Sequence, residues 1–76
     1  MLSKNKMKIL NCLEKEEYMR PIEISKVTGI HKNTVSANLR LLRNEGLVFL
    51  LNPSFHIGRL YRITEKGRKI VRILDP

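Results

Sequence analysis

The stretch from Pro21 to Gly46, PIEISKVTGIHKNTVSANLRLLRNEG, decides the fold. Pro21 disfavours helix at Arg20 but suits a first helical turn, because its fixed φ is helical and its missing N–H would have no partner there. Ile22, Ile24, Ser25, Val27 and Thr28 continue that helix, and Gly29 supplies the residue that takes positive φ just past a helix end. From His31 a polar run feeds a second pattern in which Val35, Leu39 and Leu42 share a face, ending at Asn44-Glu45-Gly46. The opposite face carries Lys32, Asn33, Ser36, Ala37 and Arg40, and a face of that composition cannot be core.

Working outward, Ser3 caps an earlier helix whose apolar positions Met7, Ile9, Leu10 and Leu13 carry it to about Glu17. Its lysines lie near the start and Glu14, Glu16 and Glu17 near the end, against the helix dipole, so packing has to hold it. Tyr18-Met19-Arg20 reads as a short extended link. Downstream, the apolar run Leu47–Leu51 folds back through turn formers at Asn52–Gly58 onto Arg59–Ile63, a hairpin with a long loop. Thr64 then caps a last helix with Ile70, Val71 and Leu74 on one side and Arg68, Lys69 and Arg72 facing water. The expected class is α+β, mainly α: three helices, a β-hairpin and a C-terminal helix in a single domain over residues 1–76.

Seventy-six residues leave room for one small core, and a domain of that size buries only ~60% of its unfolded surface, too little for a deep water-excluding active site. Lys and Arg number 15 against 7 Asp and Glu, a net charge of +8, which points to an anionic partner. With 42% hydrophobic residues that charge is displayed on something folded rather than on a disordered tail. The lone Cys12 excludes an internal disulfide and, with two widely separated histidines, a metal site within the chain. No metal or cofactor is expected. No apolar stretch approaches the ~18 residues of a membrane span, and no signal peptide opens the chain, so the expected location is cytoplasmic. Catalysis is not expected either: Ser, Cys, His and acid residues fall at no catalytic spacing, and no glycine-rich phosphate loop is present.

A short helix, a turn at Gly29-Ile30 and a longer helix with polar first turns form the layout of a helix-turn-helix. The first turns of such a second helix reach base edges in the major groove when their side chains are small or polar, as Ser36 and Ala37 are. Lys32 and Arg40 suit phosphate or guanine, and Asn33 offers the paired donor and acceptor that fit adenine. The run Gly29-Ile30-His31-Lys32-Asn33-Thr34-Val35-Ser36, with Leu39, Leu42 and Asn44-Glu45-Gly46-Leu47-Val48, closely resembles the recognition-helix region of bacterial and archaeal winged helix-turn-helix transcription regulators. Tyr61-Arg62-Ile63-Thr64-Glu65-Lys66-Gly67 is similar to the strand-to-helix segment after the wing in the same regulators, including the multiple-antibiotic-resistance and arsenic-repressor-like groups.

That resemblance implies sequence-specific binding of double-stranded DNA, with the helix at about 31–45 in the major groove and a wing at about 47–63 near the backbone or minor groove. It also implies a short third strand at Met19-Arg20. The DNA-binding residues expected are Pro21, His31, Lys32, Asn33, Thr34, Ser36, Ala37, Arg40, Arg59 and Arg62. The tip Asn52–Gly58 departs from the family in offering only His56 as a cation, and His31 stands where relatives carry Ser or Thr as the helix cap. Relatives usually dimerise through terminal helices, so a homodimer on an inverted-repeat operator is expected, with Leu2, Ile73 and Leu74 as its surface. Phe49 and Tyr61 are expected in core or wing packing, Phe55 folded back, and Cys12 buried. The alternative, since one fold serves several ends, is a winged-helix protein-interaction or RNA-binding module.

Overall fold

In the computed structural model, which describes residues 2–74, six elements follow one another: α1 (Lys4–Glu14), α2 (Pro21–Thr28), α3 (Lys32–Asn44), β1 (Val48–Leu50), β2 (Tyr61–Ile63) and α4 (Glu65–Leu74). Met1, Asp75 and Pro76, the ends of the expected 1–76 domain, lie outside the described residues. The element order and the mainly helical class match the expectation from sequence.

Ser3 accepts a hydrogen bond from Lys6 N (3.2 Å) and starts α1. That helix stops at Glu14 rather than near Glu17, with Lys15 N bonding back to Cys12 O and Glu16 N to Leu13 O in a tightened last turn. Ending the helix there frees the chain to place Met19 beside Tyr61, where two backbone bonds of 2.9 Å form an isolated bridge. The third strand implied at Met19-Arg20 is thus reduced to Met19, because the Arg20 N–H is already donated to Glu23 Oε1 (2.8 Å).

α2 begins with Pro21 in its first turn and ends at Gly29, whose φ of 78° is the left-handed conformation that only glycine adopts cheaply. The turn into α3 is locked by hydroxyls: Ser25 Oγ donates to Ile30 O (2.6 Å), while Thr28 Oγ1 donates to Ile24 O (2.7 Å) and accepts from Ile30 N (3.2 Å). These bonds fix the angle between α2 and α3, which is what aims α3 outward.

The core joins Ile9, Leu10 and Leu13 of α1, Ile24 of α2 and Val35, Leu39 and Leu42 of α3, all fully buried, with Leu47, Val48, Leu50, Tyr61, Ile63 and Val71. Cys12 belongs to it; its Sγ lies 3.4 Å from Met19 Sδ, and burial first, then the Glu16 charge, pushes the thiol up and keeps it protonated. β1 and β2 pair antiparallel in the register Val48↔Ile63, Phe49↔Arg62 and Leu50↔Tyr61. Each strand is three residues long, shorter than Leu47–Leu51 and Arg59–Ile63, because Asn52 and Arg59 turn their hydrogen bonds to the loop.

Two aromatic expectations fail on this hairpin. Alternation along β1 turns Phe49 out, 40% exposed and opposite Arg62, while Tyr61 is buried. Phe55 does not fold back: it is 59% exposed, since hydrogen bonds to and from Asn52, Arg59 and the backbone rather than burial close its loop. Thr64 caps α4, its Oγ1 accepting from Gly67 N (3.1 Å) and donating to Gly46 O (2.7 Å). Of that helix's apolar side, Val71 is buried and Ile70 half-buried, but Leu74 stays exposed beside Ile73, because α4 meets the core only through its inner edge.

Candidate nucleic-acid interface

On α3, Lys32, Ser36, Arg40 and Arg43 recur at intervals of four, four and three residues, so they form one stripe down the helix, with Asn33 beside its first turn. Val35, Leu39 and Leu42 anchor the opposite face in the core and hold the stripe outward. The stripe from Lys32 to Arg43 is about 16 Å long at 1.5 Å per residue, the length of roughly five base pairs.

The start of α2 and the wing complete the surface. Arg20 and Pro21 at the start of α2 and Ile57, Gly58 and Arg59 of the wing loop line, together with the stripe, one open groove of about 700 Å³. Five permanent cations line it, Arg20, Lys32, Arg40, Arg43 and Arg59, with His56 and no carboxylate. The ion pairs among the described residues, Lys6–Glu45, Arg20–Glu23 and Arg72–Glu14, use none of the other four. Arg59 is positioned by a bond from its Nε to Phe55 O (2.8 Å). Positive charge concentrated in a concave surface, with only Arg20 of its five cations ion-paired among the described residues, focuses its field outward and suits an anionic polymer.

Six of the ten residues expected from sequence line this groove: Pro21, Lys32, Asn33, Ser36, Arg40 and Arg59. His31 sits just before it and acts as the helix cap, its Nδ1 accepting from Asn33 N (3.1 Å). That bond leaves the ring proton on Nε2. Thr34 is half-buried, its carbonyl accepting from Asn38 Nδ2 (2.8 Å), and Ala37 is exposed next to Ser36. Arg62 does not join the group: strand alternation puts it on the outer face of the hairpin, opposite Phe49. Arg20, Arg43 and Ile57 were not anticipated. A step of three residues past Arg40, one further turn of the same helix face, reaches Arg43, whereas Ile57 carries no signal in the sequence because only the loop's path brings it here.

Comparison with known proteins agrees with this geometry. The family described as winged helix-turn-helix DNA-binding matches residues 2–48, more than half of the chain. No curated protein sequence matches. Among solved structures, a mutant MarR from E. coli complexed with operator DNA superposes with a TM-score of 0.82 at 25% identity, covering 95% of this chain and 52% of that one. BpsR of Bordetella bronchiseptica superposes at 0.88 with 22% identity, covering 96% and 56%. PcaV of Streptomyces coelicolor, solved with its natural ligand, superposes at 0.84 with 21% identity, covering 93% and 51%. The latter two likenesses are of fold, and the chain spans about half the length of each of these regulators. On that match over residues 2–48, the chain belongs to the winged helix-turn-helix DNA-binding family.

Proposed function

We propose that this chain is the DNA-reading part of a sequence-specific transcription regulator, with α3 lying in the major groove of double-stranded DNA and the wing against the neighbouring backbone or minor groove. The observation that carries the reading is the stripe Lys32, Asn33, Ser36, Arg40 and Arg43, held between Arg20 and Arg59 in a groove without carboxylates. The likeness to a MarR structure complexed with operator DNA supports it. Asn33 reads adenine, Lys32 and Arg40 meet guanine or phosphate, and Ser36 and Ala37 let the helix approach closely. His31 and Thr34 set up the first turn, while Pro21, Arg20 and Arg59 sit at the groove's edges for phosphate contact. Arg62 is left with a more distant, electrostatic part.

The finer reading is a homodimer on an inverted repeat. Leu2, Leu47, Ile70, Ile73 and Leu74, with Glu45 and Lys66 among them, line a second, mainly apolar depression of about 570 Å³ at the terminal helices, and Ile73 and Leu74 are mostly exposed. Two copies joined there would set two α3 helices about one DNA turn, ~34 Å, apart. DNA as partner also fits a cytoplasmic chain, and no helix among the described residues is long and apolar enough to cross a membrane.

Selection of binding sites from random duplex DNA tests this reading, followed by titration of Asn33→Ala and Arg40→Ala on the selected site at fixed salt. The expected result is a palindromic consensus and a loss of about 1–3 kcal/mol for each variant, with relaxed preference at one position each. No consensus, a preference for RNA, or unchanged binding by both variants would refute it.

A further inference from the structure

We propose that the wing touches DNA through an apolar tip, with Ile57 as the contact in the minor groove beside the stretch read by α3; the inference rests on the major-groove reading above. Ile57 is 89% exposed, more than any other large apolar side chain in the described residues. A scattered exposed apolar residue is ordinary, but this one is held in place by its loop. Asn52 clips both ends of the tip, its Nδ2 donating to Gly58 O (3.1 Å) and its Oδ1 accepting from Leu60 N (2.8 Å). Phe55 N donates to Asn52 O (3.0 Å), and Arg59 Nε to Phe55 O (2.8 Å). Hydrogen bonds thus fix the loop's shape without burying its apolar side chains, at the cost of leaving Ile57 in water.

Ile57 faces the same groove as Lys32, Arg40 and Arg43, so a duplex drawn to those cations meets it. The tip from Asn52 to Gly58 contains no Lys or Arg, and the nearest one, Arg59, braces the loop. Beside His56, which lines the same groove, the most exposed contact the tip offers is the apolar Ile57, against sugar faces and the edges of a partly opened base step. Apolar side chains act this way in the minor groove, where they favour flexible pyrimidine–purine steps. The wing would thereby add a preference at positions flanking the α3 site.

The test compares the full chain with Ile57→Ser and Ile57→Leu on its selected duplex over a salt series, with 2-aminopurine placed at the flanking step. Ile57→Ser is expected to bind about tenfold more weakly with an unchanged salt slope, the loss of an apolar and not an ionic contact. Ile57→Leu should stay within about threefold of the parent, as a similar apolar volume would. The 2-aminopurine fluorescence should rise on binding of the parent and not of Ile57→Ser, whose melting temperature should be unchanged. Parent-like affinity and fluorescence from Ile57→Ser would overturn the inference while leaving the α3 reading standing. A parent chain that binds no duplex would overturn that reading and this inference with it.

Discussion

Glu23 governs how α2 starts, and through it where Arg20 and Pro21 sit at the edge of the cationic groove. Its carboxylate accepts from the Arg20 backbone N–H (2.8 Å) and lies 3.3 Å from Arg20 Nε. The backbone bond first, and then the side-chain bond, holds this carboxyl below its ordinary value of 4.5. A carboxyl depressed in the folded state stabilises the fold above its unfolded value, and that contribution disappears as pH falls through the lower, folded value. Glu23→Gln should therefore melt at a lower temperature than the parent near neutral pH, and the gap should narrow below about pH 4; thermal melts across pH 2–7 read this directly. A gap of constant size at every pH would remove the assigned role. On α3 the cap is made from the other side, His31 Nδ1 accepting from Asn33 N (3.1 Å).

α4 and the hairpin meet at Gly67, where a Cβ would press on Leu47 O and come within 2.7 Å of Ile63 Cγ1. Alanine is the better helix former by about 1 kcal/mol, but a backbone carbonyl cannot yield as a side chain can, so the clash decides the sign. Gly67→Ala should lose about 1–3 kcal/mol in urea unfolding; equal or higher stability would show that α4 does not approach the hairpin this closely. Gly67 was legible only as part of a family-like run, because its constraint is a contact between elements distant in sequence. The bounds of α2 and α3, by contrast, are legible nearly to the residue, since Pro21 and Gly29 act locally through φ; the capping bond of His31, where the family carries Ser or Thr and the sequence suggests a phosphate donor instead, is not. The apolar spacing runs α1 three residues too far, to Glu17, because periodicity does not register the need to bring Met19 to Tyr61. On β1 a continuous apolar run hid the alternation that turns Phe49 outward. The α3 part of the candidate interface followed from one helical stripe, whereas the share of the wing depended on a loop path that no local rule supplies.

Over the whole molecule the charge is sorted by place. Glu14, Glu16 and Glu17 gather at the end of α1, Glu45 is tied to Lys6 (2.7 Å) at the end of α3, and no carboxylate enters the groove that holds five cations. A net charge of +8 then acts as a directed field and not a diffuse one. Binding should weaken linearly in log–log terms with salt, and Arg43→Ala should make that slope shallower by about 1, the release of one counterion, with little change in base preference. An unchanged slope would place Arg43 away from the backbone. The most direct test of where α3 lies is dimethyl sulfate protection on the selected duplex, because guanine N7 faces the major groove and adenine N3 the minor groove. Bound chain should shield guanine N7 over about five consecutive base pairs, and Arg40→Ala should uncover a position within them. Full occupancy with every guanine N7 still reactive would contradict a major-groove α3.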